Sequence, residues 1–222
     1  MINTAKPVRF FFSKTGRAKY IAHLDMSKCL QRGIKRAGIN VWYTEGYNPH
    51  MYLNYPLALS LGYESTSEFF DVKMEPDDNN YTEIKEKLNA VMPEGIEITN
   101  VALPKEEPKE IVWATYDMDI YFEKATGAKK KFTDFINQDR IITEKKSKKG
   151  MKEIDLKPTF ETISVDGGED YISFSLKINA GIIFNVNPML IIDKFCEVYN
   201  EEISYFKIRR TAIFNEKNEH FA

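Results

Sequence analysis

The segment Pro104-Lys105-Glu106-Glu107-Pro108-Lys109-Glu110 divides this 222-residue chain. Two prolines interrupt any helix or ladder and only charged residues stand between them, so the segment has nothing to bury and nothing to pair in a sheet. Residues 1–103 then read as one lobe, 104–110 as a linker and 111–222 as a second lobe. At 43% hydrophobic and 13% aromatic, the chain has enough apolar material for a packed core in each.

In the first lobe, Val8 to Phe12 is a β-rich run, broken by a turn around Gly16 and resumed over Ala18 to Ile21. Met26, Cys29, Leu30, Gly33, Ile34 and Ala37 recur at three- and four-residue spacing, which predicts a helix with one apolar face, Asp25 as its cap and Gly38 as its stop. Met51, Leu53, Tyr55, Leu57, Leu59 and Leu61 alternate, as do Phe70, Val72 and Met74 beyond the Gly62 turn. This predicts a strand pair with Pro56 at an edge or bulge. Asn80 and Glu83 form a capping-box pattern ahead of Ile84, Leu88 and Val91, and Ile96 to Val101 returns to strand.

The same order follows the linker. Met118, Ile120 and Phe122 alternate, Phe132, Phe135 and Ile136 mark a short helix, and a strand is expected from Ile154 to Val165. Asp166-Gly167-Gly168 signals a turn, and Ile172, Phe174, Leu176 and Ile178 alternate after it. Asn187-Pro188 reads as a cap with proline at the first helical position, opening a helix through Leu190, Ile191, Lys194 and Phe195. Phe206, Ile208, Ala212 and Phe214 form the last strand, in which Arg209 and Arg210 cannot both face a core. The expected fold class is therefore α+β, as two tandem ferredoxin-like βαββαβ halves with antiparallel sheets. That fold hosts many functions and decides none.

Lys and Arg total 31 against 33 Asp and Glu, a formal charge of -2, so only local clusters can argue for nucleic acid. Lys28, Arg32, Lys35 and Arg36 share the helix face opposite the apolar stripe, and Lys14, Arg17 and Lys19 extend it. This is either a phosphate-contacting surface or a solvated helix face. Lys145, Lys146, Lys148, Lys149 and Lys152 around Gly150 read as a flexible tip open to the same two readings.

Cys29 and Cys196 are the only cysteines, each among apolar helical positions, and read as small buried hydrophobes. Two thiols fall short of the four that an iron–sulfur cluster ordinarily takes. There is no P-loop, no dinucleotide-binding glycine fingerprint and no closely spaced His/Cys set, and Asp77-Asp78 reads as a polar approach to a helix. No metal or cofactor is expected. Met1 to Val8 lacks a signal peptide's apolar stretch, and no run reaches the roughly 20 apolar residues of a membrane helix, so a cytoplasmic location is expected.

The polar residues that such a scaffold does not require concentrate in the first lobe: Lys14, Arg17, His23 and Asp25; Arg32 and Arg36; Glu45, Asn48 and His50; and Glu64, Ser65, Ser67 and Glu68. His23 and His50 are two of the chain's 3 histidines and suit proton transfer near neutral pH, although caps and turns use the same residue types. Shared chemistry would require His23, Asp25, Asn48 and His50 to meet at one rim of the lobe.

The run Phe12-Ser13-Lys14-Thr15-Gly16-Arg17-Ala18-Lys19-Tyr20-Ile21-Ala22-His23-Leu24-Asp25, with Arg36-Ala37-Gly38-Ile39, Glu45-Gly46-Tyr47-Asn48-Pro49-His50 and Gly62-Tyr63-Glu64-Ser65, resembles the radical-SAM-linked protein family. That family is a bacterial domain of unknown function fused to, or encoded beside, cobalamin-binding radical S-adenosylmethionine proteins. Ala22 stands where the family tends to have serine, and Tyr47 where phenylalanine is common. The second lobe adds Ile154 to Pro158, Asn187-Pro188 and Arg209-Arg210. The resemblance implies a radical SAM or cobalamin-binding partner and names no reaction.

Two function classes follow. One is a non-catalytic accessory module that binds structured RNA or an RNA-modifying partner, with no membrane involvement. The other is a metal-independent endoribonuclease using His23 and His50, by analogy with the tandem ferredoxin-like folds of CRISPR-type repeat-processing enzymes. A module is preferred to an enzyme, because no third residue evidently orients either histidine; pure protein scaffolding is a further alternative.

Overall fold

A computed structural model of the chain describes residues 5–74, 80–147 and 150–222, with the backbone alone for 145–147. Asp77-Asp78 and Lys148-Lys149 lie outside the described residues. The fold is mixed α+β with antiparallel strands and divides into two compact units, Met1–Glu110 with Phe221–Ala222, and Ile111–His220. Among the described residues, no helix is long and apolar enough to cross a membrane.

The first unit runs β1 (Lys6–Lys14), α1 (His23–Arg36), β2 (Leu53–Asn54), β3 (Glu64–Met74), α2 (Tyr81–Asn89) and β4 (Ile96–Ala102). β1 pairs antiparallel with both β3 and β4, and β2 pairs with β3, giving the order β4-β1-β3-β2. Val8, Phe10 and Phe12 alternate into the core against Met26, Leu30 and Ile34 of α1 and Ile84 and Leu88 of α2. The apolar periodicity of the sequence is thus the packing surface.

Several local expectations are corrected. Ala18 to Ile21 is not a resumed strand: Gly16–Tyr20 is a 3₁₀ turn, in which Gly16 has φ +57° and Thr15 O accepts from the Ala18 amide. α1 begins at His23, its cap position is Ala22, and Asp25 sits in the first turn beside Lys28. At the other end, Gly38 at φ +66° stops the helix as expected, with its N–H on Lys35 O and that of Ile39 on Ile34 O. The alternation from Met51 to Leu59 is real in burial, but only Leu53–Asn54 enters a ladder, because Pro56 has no amide to donate. Asn80 caps α2 through the Glu83 amide.

The second unit runs β5 (Ile111–Phe122), α3 (Ala128–Ile136), β6 (Ile142–Ser147), β7 (Gly150–Asp155), β8 (Phe160–Gly167), β9 (Tyr171–Asn179), α4 (Met189–Tyr199) and β10 (Ile203–Asn215). Its main sheet is ordered β10-β5-β9-β8, all antiparallel, and β6 and β7 form a separate hairpin. The expected strand from Ile154 to Val165 is interrupted by a 3₁₀ turn at Lys157–Thr159. Asp155 forces the break by accepting from the amides of both Ile141 and Lys157. Of the adjacent arginines, Arg210 is buried and Arg209 lies in the face turned from the core.

The segment 104–110 is engaged within the first unit. Lys105 N donates to Ala222 O, and Glu106 O accepts from the Arg9 guanidinium.

Candidate functional site

The even positions of β1 face the core, and Lys14 continues that row at the strand's end, only 1% exposed. Its ammonium donates to Ile21 O at 2.8 Å. The β1–β3 register slips between Phe12, opposite Glu68, and Lys14, opposite Ser65. This bulge crowds Glu64, Ser65 and Glu68, all buried, into the start of β3. Glu64 accepts from Gly16 N at 3.2 Å, and Ser65 Oγ from Ser67 N at 3.1 Å.

Tyr55 joins this cluster, its hydroxyl donating to Glu68 at 2.5 Å, and the His23 ring stacks on Tyr55 with centroids 4.5 Å apart. Burial pushes the His23 pKa below its ordinary value of 6.5; the Glu68 carboxylate opposes that shift and the Lys14 ammonium adds to it. His23 Nδ1 and Ser67 Oγ are buried without a hydrogen-bond partner among the described residues. The His23 ring thus lies on the Tyr55 phenol, whose hydroxyl is bonded to the Glu68 carboxylate, and keeps one ring nitrogen without a partner.

The remaining predicted residues lie in two other places. Asp25, Lys28, Cys29, Arg32 and Arg36 line an open groove of about 550 Å³ on α1, closed on one side by Val91 and Pro93. Arg36 donates to Val91 O at 2.8 Å. Arg17 is exposed on the 3₁₀ turn, whereas Lys14 cannot extend the basic face because it is buried. Glu45, Asn48 and His50 are exposed on the loop between Tyr43 and Met51, which a β-bridge closes. There His50 is held by Thr44, with Oγ1 2.9 Å from Nδ1 and accepting the His50 amide at 3.0 Å.

His23 and His50 share no hydrogen bond or ring contact, since His23 belongs to Tyr55 and His50 to Thr44. Tyr55 is the residue that sequence reasoning missed. It sits at an apolar alternation position, and in the sequence only Pro56 beside it sets it apart. Both cysteines are partly rather than fully buried. Among the described residues, no group of three or more His, Cys, Asp or Glu side chains is placed to hold a metal ion.

A family model described as "Uncharacterized protein conserved in bacteria (DUF2344)" matches residues 8–188. No curated protein matches the chain. Among solved structures, a Cbf5-Nop10-Gar1 complex is similar at 12% identity and a TM-score of 0.49, over 93% of this chain and 50% of the other. The chain thus spans half the length of that relative. An unknown protein from Galdieria sulphuraria is similar at 10% identity and a TM-score of 0.25, over 93% of this chain and 98% of the other.

Proposed function

The chain belongs to this uncharacterized bacterial family, and from that premise we propose that it is an accessory module that binds structured RNA beside a radical S-adenosylmethionine enzyme in the cytoplasm. In this reading each unit is a ferredoxin-like half, which the strand orders β4-β1-β3-β2 and β10-β5-β9-β8 support. The partner enzyme rests on the resemblance of the first-unit motifs.

The observation that carries RNA binding is the line Lys28, Arg32 and Arg36, spaced four residues apart along α1 and opening on one groove. Such a line meets successive phosphates, with Asp25 setting its anionic limit. In a fluorescence anisotropy titration of a labelled RNA hairpin, the triple variant Lys28→Glu/Arg32→Glu/Arg36→Glu weakens binding about tenfold or more at low salt and flattens the salt dependence by about one unit per lost phosphate contact. His50→Ala changes affinity little. An RNA-free complex with a radical enzyme, recovered from cells, would replace this reading with protein scaffolding.

A second reading, metal-free RNA cleavage, draws support from the stacking of His23 on Tyr55 beside Lys14 and Glu68. His50, bonded to Thr44, lends it none. Cleavage in chelator by the purified protein, abolished in His23→Ala with RNA binding retained, would establish it.

A further inference from the structure

Phe122 of β5 and Phe174 of β9 pack on Phe195 of α4 and Phe132 of α3, so the intervening odd positions of those strands face away from the helices. On that opposite face the register aligns side chains in rows. Tyr205, Tyr121 and Tyr171 stand side by side on β10, β5 and β9, with neighbouring centroids 5.9 and 5.7 Å apart. Tyr121 is 41% exposed and Tyr205 54%. The next row is Lys207, Asp119, Ser173 and Asp166, and the row after it Arg209, Asp117, Ser175 and Ser164. These two rows line an open cavity of about 340 Å³.

The three rows make different demands of an occupant. Exposed tyrosine rings offer flat apolar surface on which any base stacks. Asp117 and Asp119 each accept a serine hydroxyl at 2.6 Å and keep further acceptor sites, which only a donor can fill. Lys207, on β10 opposite Asp119, offers a cation on the same face. Base, sugar hydroxyl and phosphate answer these demands in order, and the 2′-hydroxyl is the donor that RNA has and DNA lacks.

We infer that this sheet face binds unpaired nucleotides of an RNA strand, with bases on the tyrosine row, ribose hydroxyls on Asp119 and Asp117, and a phosphate on Lys207. The inference rests on the RNA-binding reading above and adds a separate single-strand site to the groove on α1.

The test is anisotropy on the full chain with a short labelled single-stranded oligoribonucleotide, the same sequence as DNA, a blunt RNA hairpin, and adenosine monophosphate as competitor. Tyr121→Ala and Tyr205→Ala each weaken the oligoribonucleotide about tenfold, while Tyr121→Phe, which keeps the ring, stays within about threefold of the parent. DNA binds more weakly than RNA, and Asp119→Ala narrows that difference. Oligoribonucleotide affinity unchanged in both folded alanine variants overturns the inference, as does displacement by the free mononucleotide at matched nucleotide concentration. If the hairpin binds and the single strand does not, this inference falls and the α1 reading stands; if neither binds, both fall.

Discussion

Arg9 is buried with its charge, which a protein interior tolerates only when the guanidinium is fully engaged. It meets both Asp71 oxygens at 2.8 and 2.9 Å, donates to Glu106 O and Ala222 O, and lies over the rings of Phe69 and Phe221. Asp71→Ala is expected to cost about 3–5 kcal/mol in urea unfolding, because it strands that cation; replacing both partners, as Arg9→Met with Asp71→Leu, costs less. Nothing in the sequence couples Arg9 to Asp71, since a charge pair 62 residues apart leaves no local signal. His23 makes a pH-dependent contribution. Its folded pKa is depressed, so the unfolded chain binds the proton more readily, and the stability of the neutral form is fully present above pH 6.5 and lost as pH falls through the folded value. Unfolding measured across that range should steepen less with acid in His23→Asn. Burial raises the Cys29 thiol, against Arg36 and Arg32, and burial with Asp193 and Glu201 pushes Cys196 up to about 11. Both should alkylate more slowly than a free cysteine peptide at about pH 8, followed by mass spectrometry.

At the scale of elements, Gly95 joins β4 to the turn before α1. Its φ is +86°, Thr15 N donates to its carbonyl at 2.8 Å, and an added Cβ would lie 2.3 Å from Thr15 O. Gly95→Ala should therefore destabilise the protein by about 1–3 kcal/mol or more, read from the urea midpoint. Asn80→Ala, which removes the α2 cap, should cost about 1 kcal/mol in the same assay. The helices and central strands were readable because their apolar period is their packing face, as Leu30 and Ile34 show on α1 and Phe10 and Phe12 on β1. β2 is shorter than its alternation suggests, since burial alternates from Met51 to Leu59 whether or not a ladder forms. The break at Asp155 was missed because a carboxylate capturing two backbone amides leaves no periodicity to detect. The candidate site was half readable: Lys14, His23, Glu64, Ser65 and Glu68 stood out as polar residues the fold did not need, yet their convergence depends on a β-bulge that no spacing rule reports.

For the molecule as a whole, the first unit is discontinuous, with Phe221 and Ala222 belonging to it although residues 111–220 intervene. Phe221 is 8% exposed and packs on Phe69 at 5.0 Å, while the Ala222 amide donates to Glu106 and its carbonyl oxygen accepts from Arg9 and Lys105. Removing Phe221 and Ala222 should cost about 1.5–3 kcal/mol from the ring alone and lower the thermal midpoint of the full chain. The consequence reaches into biosynthesis. A ribosome delivers every strand of the first unit before any of the second, yet the ring that closes over Phe69 emerges only after residues 111–220 have been made. Order of appearance and order of completion are therefore inverted, and the first unit gains the ring over its buried arginine only after the second has been made.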